Sequence, residues 1–213
     1  MGVLAGFAGP TYLSQSPIAS VERCMNWYPE LIEIPKAEFP VALYPTPGVT
    51  SFASLTASPV RGLFEEQDRV WGVGGNRVYE ISSAGTPTSR GTVAVDGNPA
   101  TLCSSGDYGS RVFITSGDVG YALNMSTNAL TQVVTDVTMG GYVDGYFVAL
   151  DAVTSTLRIS GLADAATWTQ TAQRTAGADR WVALFVNHRE IWLFGSKTSE
   201  VWYNAGTSPF PFL

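Results

Sequence analysis

The chain has 213 residues, 45% hydrophobic and 12% aromatic, and its 14% charged residues fall well short of the roughly 25% of ordinary soluble domains, so part of its surface is expected to be covered by partner subunits. Twelve basic and 18 acidic residues leave a net charge of −6, and the only lysines are Lys36 and Lys197. Extended contact with duplex phosphates needs clustered Lys or Arg to replace released counterions, so direct, large-area DNA binding is not expected; no apolar run reaches the length of a transmembrane helix, so no membrane span is expected.

The first stretch, residues 1–59, carries eight of the twelve prolines, at 10, 17, 29, 35, 40, 45, 47 and 59. Proline removes a backbone donor and fixes φ, which rules out a long helix or a central strand here. An extended arm is expected, with Tyr12, Trp27, Tyr28, Phe39 and Tyr44 as anchors. Either the flank of the following domain or another subunit would receive them. A short helix over 18–25 fits the pattern weakly. The opening residues lack the positively charged region of a secretory signal, which points to synthesis in the cytosol. Cys24 and Cys103 lie 79 residues apart in no metal-ligand spacing, and they read as two buried thiols of a reducing compartment.

From Val60 the grammar changes to short apolar strands. Val60–Phe64 reads as the inner strand of a first unit; Asp68–Val73 and Asn76–Ile81 form a hairpin closed by Gly74-Gly75-Asn76, and Thr88–Val95 is the outer strand. The second unit turns at Ser116-Gly117-Asp118 and ends on Ala129–Val134. The third opens at Gly141–Gly145 and turns near Asp151–Ser155, and the fourth runs from Trp181–Val186 into a hairpin around Gly195–Thr198.

Aligned on Trp71, Phe113, Phe147 and Trp192, the hairpins recur at steps of 42, 34 and 45 residues. A recurrence near 40 residues built from short strands is the mark of β-propeller blades, since one small sheet cannot bury its own faces and must stack on a neighbour. A β-sandwich also supplies short strands, but nothing in it requires one hairpin to recur in step. The expected fold is therefore all-β, about four propeller-like blades over 60–213 preceded by an extended arm over 1–59. Four units without closure would leave an open strand edge and an apolar face. Either the ring closes here or the blades belong to a longer propeller.

Chemistry is sparse. The single histidine, His188, falls in an expected turn and lacks a motif that would supply an orienting carboxylate and a nucleophile. Gly72-Val-Gly-Gly75 lies inside a hairpin, not between a strand and a helix, so it does not cradle phosphate. Glu65-Glu66 reads as an exposed strand end. Ser160-Gly-Leu-Ala-Asp-Ala-Ala-Thr-Trp168 is a loose echo of the Asp-box turn of sialidase propellers, with Asp164 capping the turn and Trp168 wedged between blades. Asp118, Asp144 and Asp151 sit at turns, where Asp accepts from nearby backbone N–H groups. No catalytic, metal or cofactor residue is assigned.

Met25-Asn-Trp-Tyr-Pro-Glu30, Leu43-Tyr-Pro-Thr-Pro-Gly-Val49, Val60-Arg-Gly-Leu63, Val143-Asp-Gly-Tyr-Phe147, Ile159-Ser-Gly-Leu162 and Arg189-Glu-Ile-Trp-Leu-Phe-Gly195 followed by Glu200-Val-Trp-Tyr-Asn204 resemble, in order, the packaged-DNA stabilisation family of short-tailed phages. The resemblance implies a structural virion protein of the tail hub, or tail accessory factor, made in the host cytoplasm and built into the phage tail. It implies a sixfold ring below the portal and its adaptor, contact with the tail needle, and retention of packaged DNA that is only indirect. It also implies a longer protein of which this chain is an N-terminal portion. Trp27, Tyr28, Glu30, Phe39, Tyr44 and Pro45 are the interface candidates. The alternative is a carbohydrate-binding or carbohydrate-processing propeller, because aromatic blades also make sugar platforms.

Overall fold

Alternation of β-branched and aromatic residues with polar ones, broken every few residues by glycine, aspartate or asparagine, leaves short antiparallel meanders as the way to pair this backbone. The computed structural model describes residues 26–31, 41–107, 109–173, 177 and 179–213, and among these it contains seventeen strands and no helix. The chain divides into two compact units, Met1–Ser51 and Phe52–Leu213.

In the first unit β1 (Trp27–Leu31) pairs antiparallel with β2 (Val41–Pro45). The expected arm is thus partly paired: an isolated two-stranded ribbon tolerates the proline that a central strand would reject. Phe39 and the segment suggested as a helix, 18–25, lie outside the described residues.

The second unit holds four meanders in chain order. Blade 1 is β3 (Val60–Glu66), β4 (Arg69–Gly74), β5 (Arg77–Ile81) and β6 (Pro87–Thr92). Blade 2 is β7 (Thr101–Ser104), β8 (Arg111–Ser116), β9 (Val119–Asn124) and β10 (Leu130–Thr135). Blade 3 is β11 (Met139–Val143), β12 (Tyr146–Asp151), β13 (Thr156–Ile159) and β14 (Gln170–Gln173). Blade 4 has β15 (Trp181–Asn187), β16 (Glu190–Gly195) and β17 (Ser199–Tyr203).

The innermost strands pack in series, β3 beside β7, β7 beside β11 and β11 beside β15, so the sheets stand radially, as expected of propeller blades. In blades 1 to 3 the middle strands are almost fully buried, whereas the outer β6, β10 and β14 are polar and half-exposed. That gradient is what a radial sheet requires, because its outer strand meets water.

The core lies in the three seams between blades. Trp71, Val73 and Val78 of blade 1 pack on Val112, Ile114 and Leu123 of blade 2. Phe113 and Ala122 of blade 2 meet Phe147, Ala149 and Ala165 of blade 3. Val148, Leu150, Leu157 and Ile159 of blade 3 meet Trp181, Ile191 and Leu193 of blade 4. Each seam buries large apolar side chains at about 1.5–3 kcal/mol apiece relative to exposure.

The register corrects one detail of the sequence repeat. Trp71, Phe113 and Trp192 are each the third residue of their strand, and in blade 3 that position is Val148, not Phe147. Phe147 points back toward Phe113, with ring centroids 5.5 Å apart. A shift of one residue moves a side chain to the opposite face of its sheet, so the aromatic at 147 serves the preceding seam.

Candidate functional site

Five of the six interface candidates fall on the β1–β2 hairpin. Tyr28 and Tyr44 are directly cross-strand and stack at 5.7 Å with an interplanar angle of 25°; Trp27 opposes Pro45 and Glu30 opposes Ala42. Cross-strand aromatic pairs of this kind stabilise a ribbon by a few tenths to about 1 kcal/mol, and the Thr46 N–H bonded to the Asn26 carbonyl at 2.9 Å closes its open end. Trp27, Tyr28 and Tyr44 nevertheless keep nearly half their surface, 48%, 46% and 46%. Aromatic side chains presented this way are the residues that anchor protein interfaces. Phe39, the sixth candidate, lies outside the described residues.

Several polar residues of the blades act as ties between neighbours. Arg61 of β3 is buried and donates from Nε to the Gly75 carbonyl at 3.0 Å, and from its terminal nitrogens to the carbonyls of Asn98 and Ala94, to Asp96 and to the Ser116 hydroxyl. One guanidinium therefore pins the end of blade 1 to the loop entering blade 2 and to a blade 2 strand. Arg69 lies over the Trp71 ring at 4.5 Å, bonds Glu80 at 2.8 Å, and reaches Met125 and Asn128 of blade 2. Hydrogen bonding from Arg69, joined by Arg90, holds the Glu80 carboxyl below its usual range. Sequence reading missed both arginines. Their only signal was an arginine placed inside or at the start of an apolar strand.

The turn residues behave as expected in part. Asp151 accepts from the N–H groups of Val153 and Thr154, capping the β12–β13 turn. Asp144 instead receives both arms of Arg189, at 2.7 and 3.2 Å, joining the turns of blades 3 and 4 and lowering the Asp144 pKa. Asp118 adopts a left-handed φ of 60° in its turn. His188 is exposed in the β15–β16 turn with φ 48°. Asp164 accepts from the Ala166 N–H and the Thr167 hydroxyl, and Trp168 lies in the seam against Phe113, which is the capping and wedging role expected of that turn. Burial pushes the Cys103 thiol up, away from reactivity.

Turns of blades 2 and 3 border a shallow polar groove of about 510 Å³ with Asp118, Asp136, Asp151 and Arg158 on its rim. Among the described residues no group of three His, Cys, Asp or Glu is placed to hold a metal. Nor is any helix among them long and apolar enough to cross a membrane.

Residues 25–213 match the family described as Bacteriophage P22 Gp10, β-propeller. The chain belongs to that family. It is therefore a structural, Gp10-type stabilisation or tail accessory protein of a bacteriophage and a component of the virion. No curated protein sequence matches it significantly. Solved structures are similar in fold alone. Catalytically inactive virginiamycin B lyase from Staphylococcus aureus with quinupristin superposes at a TM-score of 0.54, 12% identity, over 88% of this chain and 62% of the lyase chain. The Saccharomyces cerevisiae complex of Dbp5 bound to Nup159, Gle1, IP6 and ADP gives 0.51, 11%, 73% and 46%. The computationally designed Ika4 protein gives 0.51, 14%, 73% and 99%. The chain thus spans roughly half the length of the natural chains it matches.

Proposed function

We propose that this Gp10-family chain is a tail-hub or head-to-tail connector component that closes the portal channel, stabilises packaged DNA and links to the tail needle. The family match over residues 25–213 carries this reading. Its physical basis is a set of blades tied to one another by Arg61, Arg69 and the Arg189–Asp144 pair, with an exposed aromatic ribbon available for subunit contact. Trp27, Tyr28, Glu30, Tyr44 and Pro45 on the ribbon, together with Phe39, would make the contacts to neighbouring subunits, the portal adaptor or the needle protein.

DNA retention in this account is mechanical. A chain of net charge −6 without a basic cluster repels the genome instead of gripping it, so closure holds the DNA while leaving it free to slide at ejection. A sixfold ring matched to the tail axis is the assembly proposed. Reconstruction of the tail by electron microscopy tests it: density for these blades should form a ring of six between adaptor and needle. Its placement on the capsid shell or on a side fibre would refute the reading.

A further inference from the structure

The β1–β2 ribbon offers a partner its face and not its edges. The Thr46 N–H bonds the Asn26 carbonyl at 2.9 Å, and hydrogen-bonded pairs of an antiparallel ribbon recur at every second position. Tyr28 with Tyr44 and Glu30 with Ala42 are therefore the pairs that bond inward. Trp27, Pro29 and Leu31 turn their backbone groups to one outer edge, and Val41, Leu43 and Pro45 to the other. Each edge thus carries a proline, which lacks the donor that an added strand needs.

The same register places Tyr28, Tyr44, Glu30 and Ala42 on one face. There the two tyrosine rings stack at 5.7 Å, and Glu30 follows Tyr28 by two positions, about 7 Å along the strand. Ala42, opposite Glu30, is too short to screen its carboxylate. Glu30 and both tyrosines are exposed, and among the described residues no hydrogen bond or ion pair engages the carboxylate or either hydroxyl. Blade 1 shows the related arrangement complete. Trp71 and Glu80 are cross-strand neighbours, and the Arg69 guanidinium lies 4.5 Å over the Trp71 ring while bonding Glu80 at 2.8 Å. The ribbon presents the aromatic and the carboxylate without the guanidinium.

We propose that this face takes an arginine-bearing segment of a different protein of the particle, its guanidinium laid on the tyrosine rings and paired to Glu30. The contact rests on the assembly role proposed above for the ribbon, and gives its partner a chemistry. A planar guanidinium stacks on an aromatic face while its N–H groups fork to a carboxylate. Charge decides between occupants. A second copy carries the same net charge of −6 and sets like charges together, whereas a basic segment is attracted as it approaches.

Photo-crosslinking in assembled particles tests this. The full-length protein carries p-benzoylphenylalanine in place of Tyr44, which keeps an aromatic ring at the contact, and mass spectrometry reads the peptide joined to it. A peptide of a different protein, with arginine within a few residues of the crosslink, is expected. A joined peptide from a second copy, or one without arginine, would overturn the proposal. A second measurement needs no crosslink: variant and wild type compete for incorporation into particles and are counted by mass spectrometry. Tyr28→Phe should compete equally, whereas Tyr28→Leu and Glu30→Gln should each drop roughly three- to tenfold. Leucine serving as well as phenylalanine would reduce the face to plain apolar contact and sink the cation assignment. Microscopy places the protein in the particle separately, so an arginine-bearing capsid peptide would refute the tail reading while leaving this contact intact.

Discussion

Trp168 of blade 3 lies against Phe113 of blade 2, ring centroids 5.0 Å apart, while its indole N–H donates to the Ala165 carbonyl at 2.8 Å. The turn that carries Trp168 is held by Asp164, so a polar cap and an aromatic wedge act as one device across the seam. Phe113→Ala is expected to cost about 3–5 kcal/mol, as for a fully buried phenylalanine, and Trp168→Ala less, because Trp168 is only half-buried. The double variant should lose less than the sum of the two, since the rings touch. Urea unfolding checks all three.

Arg61 should resist conservative replacement. Removing its guanidinium leaves the Gly75 and Asn98 carbonyls without their donor, leaves the Ala94 carbonyl only the Ser116 hydroxyl and separates Asp96 from its ion-pair partner, a loss of roughly 3–5 kcal/mol for a buried charged network. Arg61→Lys is expected to recover only a small part, because an ammonium cannot fork toward several acceptors. Thermal unfolding of both variants measures this.

Gly140 and Gly141 lie on opposite faces of β11, each where a neighbouring blade comes closest. A Cβ at Gly140 would sit 2.6 Å from the Phe113 ring, and one at Gly141 2.6 Å from Val186. Gly140→Ala should therefore destabilise by about 1–3 kcal/mol through overpacking, although alanine favours most backbones over glycine. Equal or greater stability in a denaturant titration would mean the seam has room for the added methyl group.

Acid should weaken the seams. Glu80 and Asp144 both have folded-state pKa values below their unfolded ones, Glu80 through Arg69 first and Asp144 through Arg189 first. Such groups stabilise fully above the unfolded pKa, and their contribution is lost as pH falls through the folded value. Stability should accordingly hold near neutrality and decline below about pH 4.5, where ordinary carboxylates protonate. Glu80→Gln should lower stability at neutral pH and flatten the acid decline, as read from melting temperature against pH.

Much of this fold was legible in the residues. Four aromatic hairpins in step required radial stacking, and the turn at Asp164 announced its Trp168 wedge. The strands β7 and β14 were not, because Thr101–Ser104 and Gln170–Gln173 are short and polar and owe their pairing to neighbours rather than to pattern. Phe147 was misplaced by one residue for a related reason: an aromatic at a strand start fits either face, and only the seam decides. The hairpin of Trp27 and Tyr44 was hidden by its prolines, which argued against strands without excluding an isolated ribbon. Arg61 was invisible because its acceptors come from three separate stretches of the chain.

The aromatic ribbon is where stability and assembly should separate. Trp27, Tyr28 and Tyr44 are about half-exposed, so replacing all three with serine should leave the melting of the blades nearly unchanged. Incorporation into particles should fall sharply, since aromatic anchors carry much of an interface's energy. Quantifying this protein in purified particles by mass spectrometry checks it.

The central claim, closure of the portal channel around packaged DNA, is tested most directly by genome retention. Particles assembled without this protein should package DNA and then lose it, leaving the genome open to added nuclease, and purified full-length protein should restore protection when supplied at packaging. Particles that keep a nuclease-resistant genome in its complete absence would contradict the account.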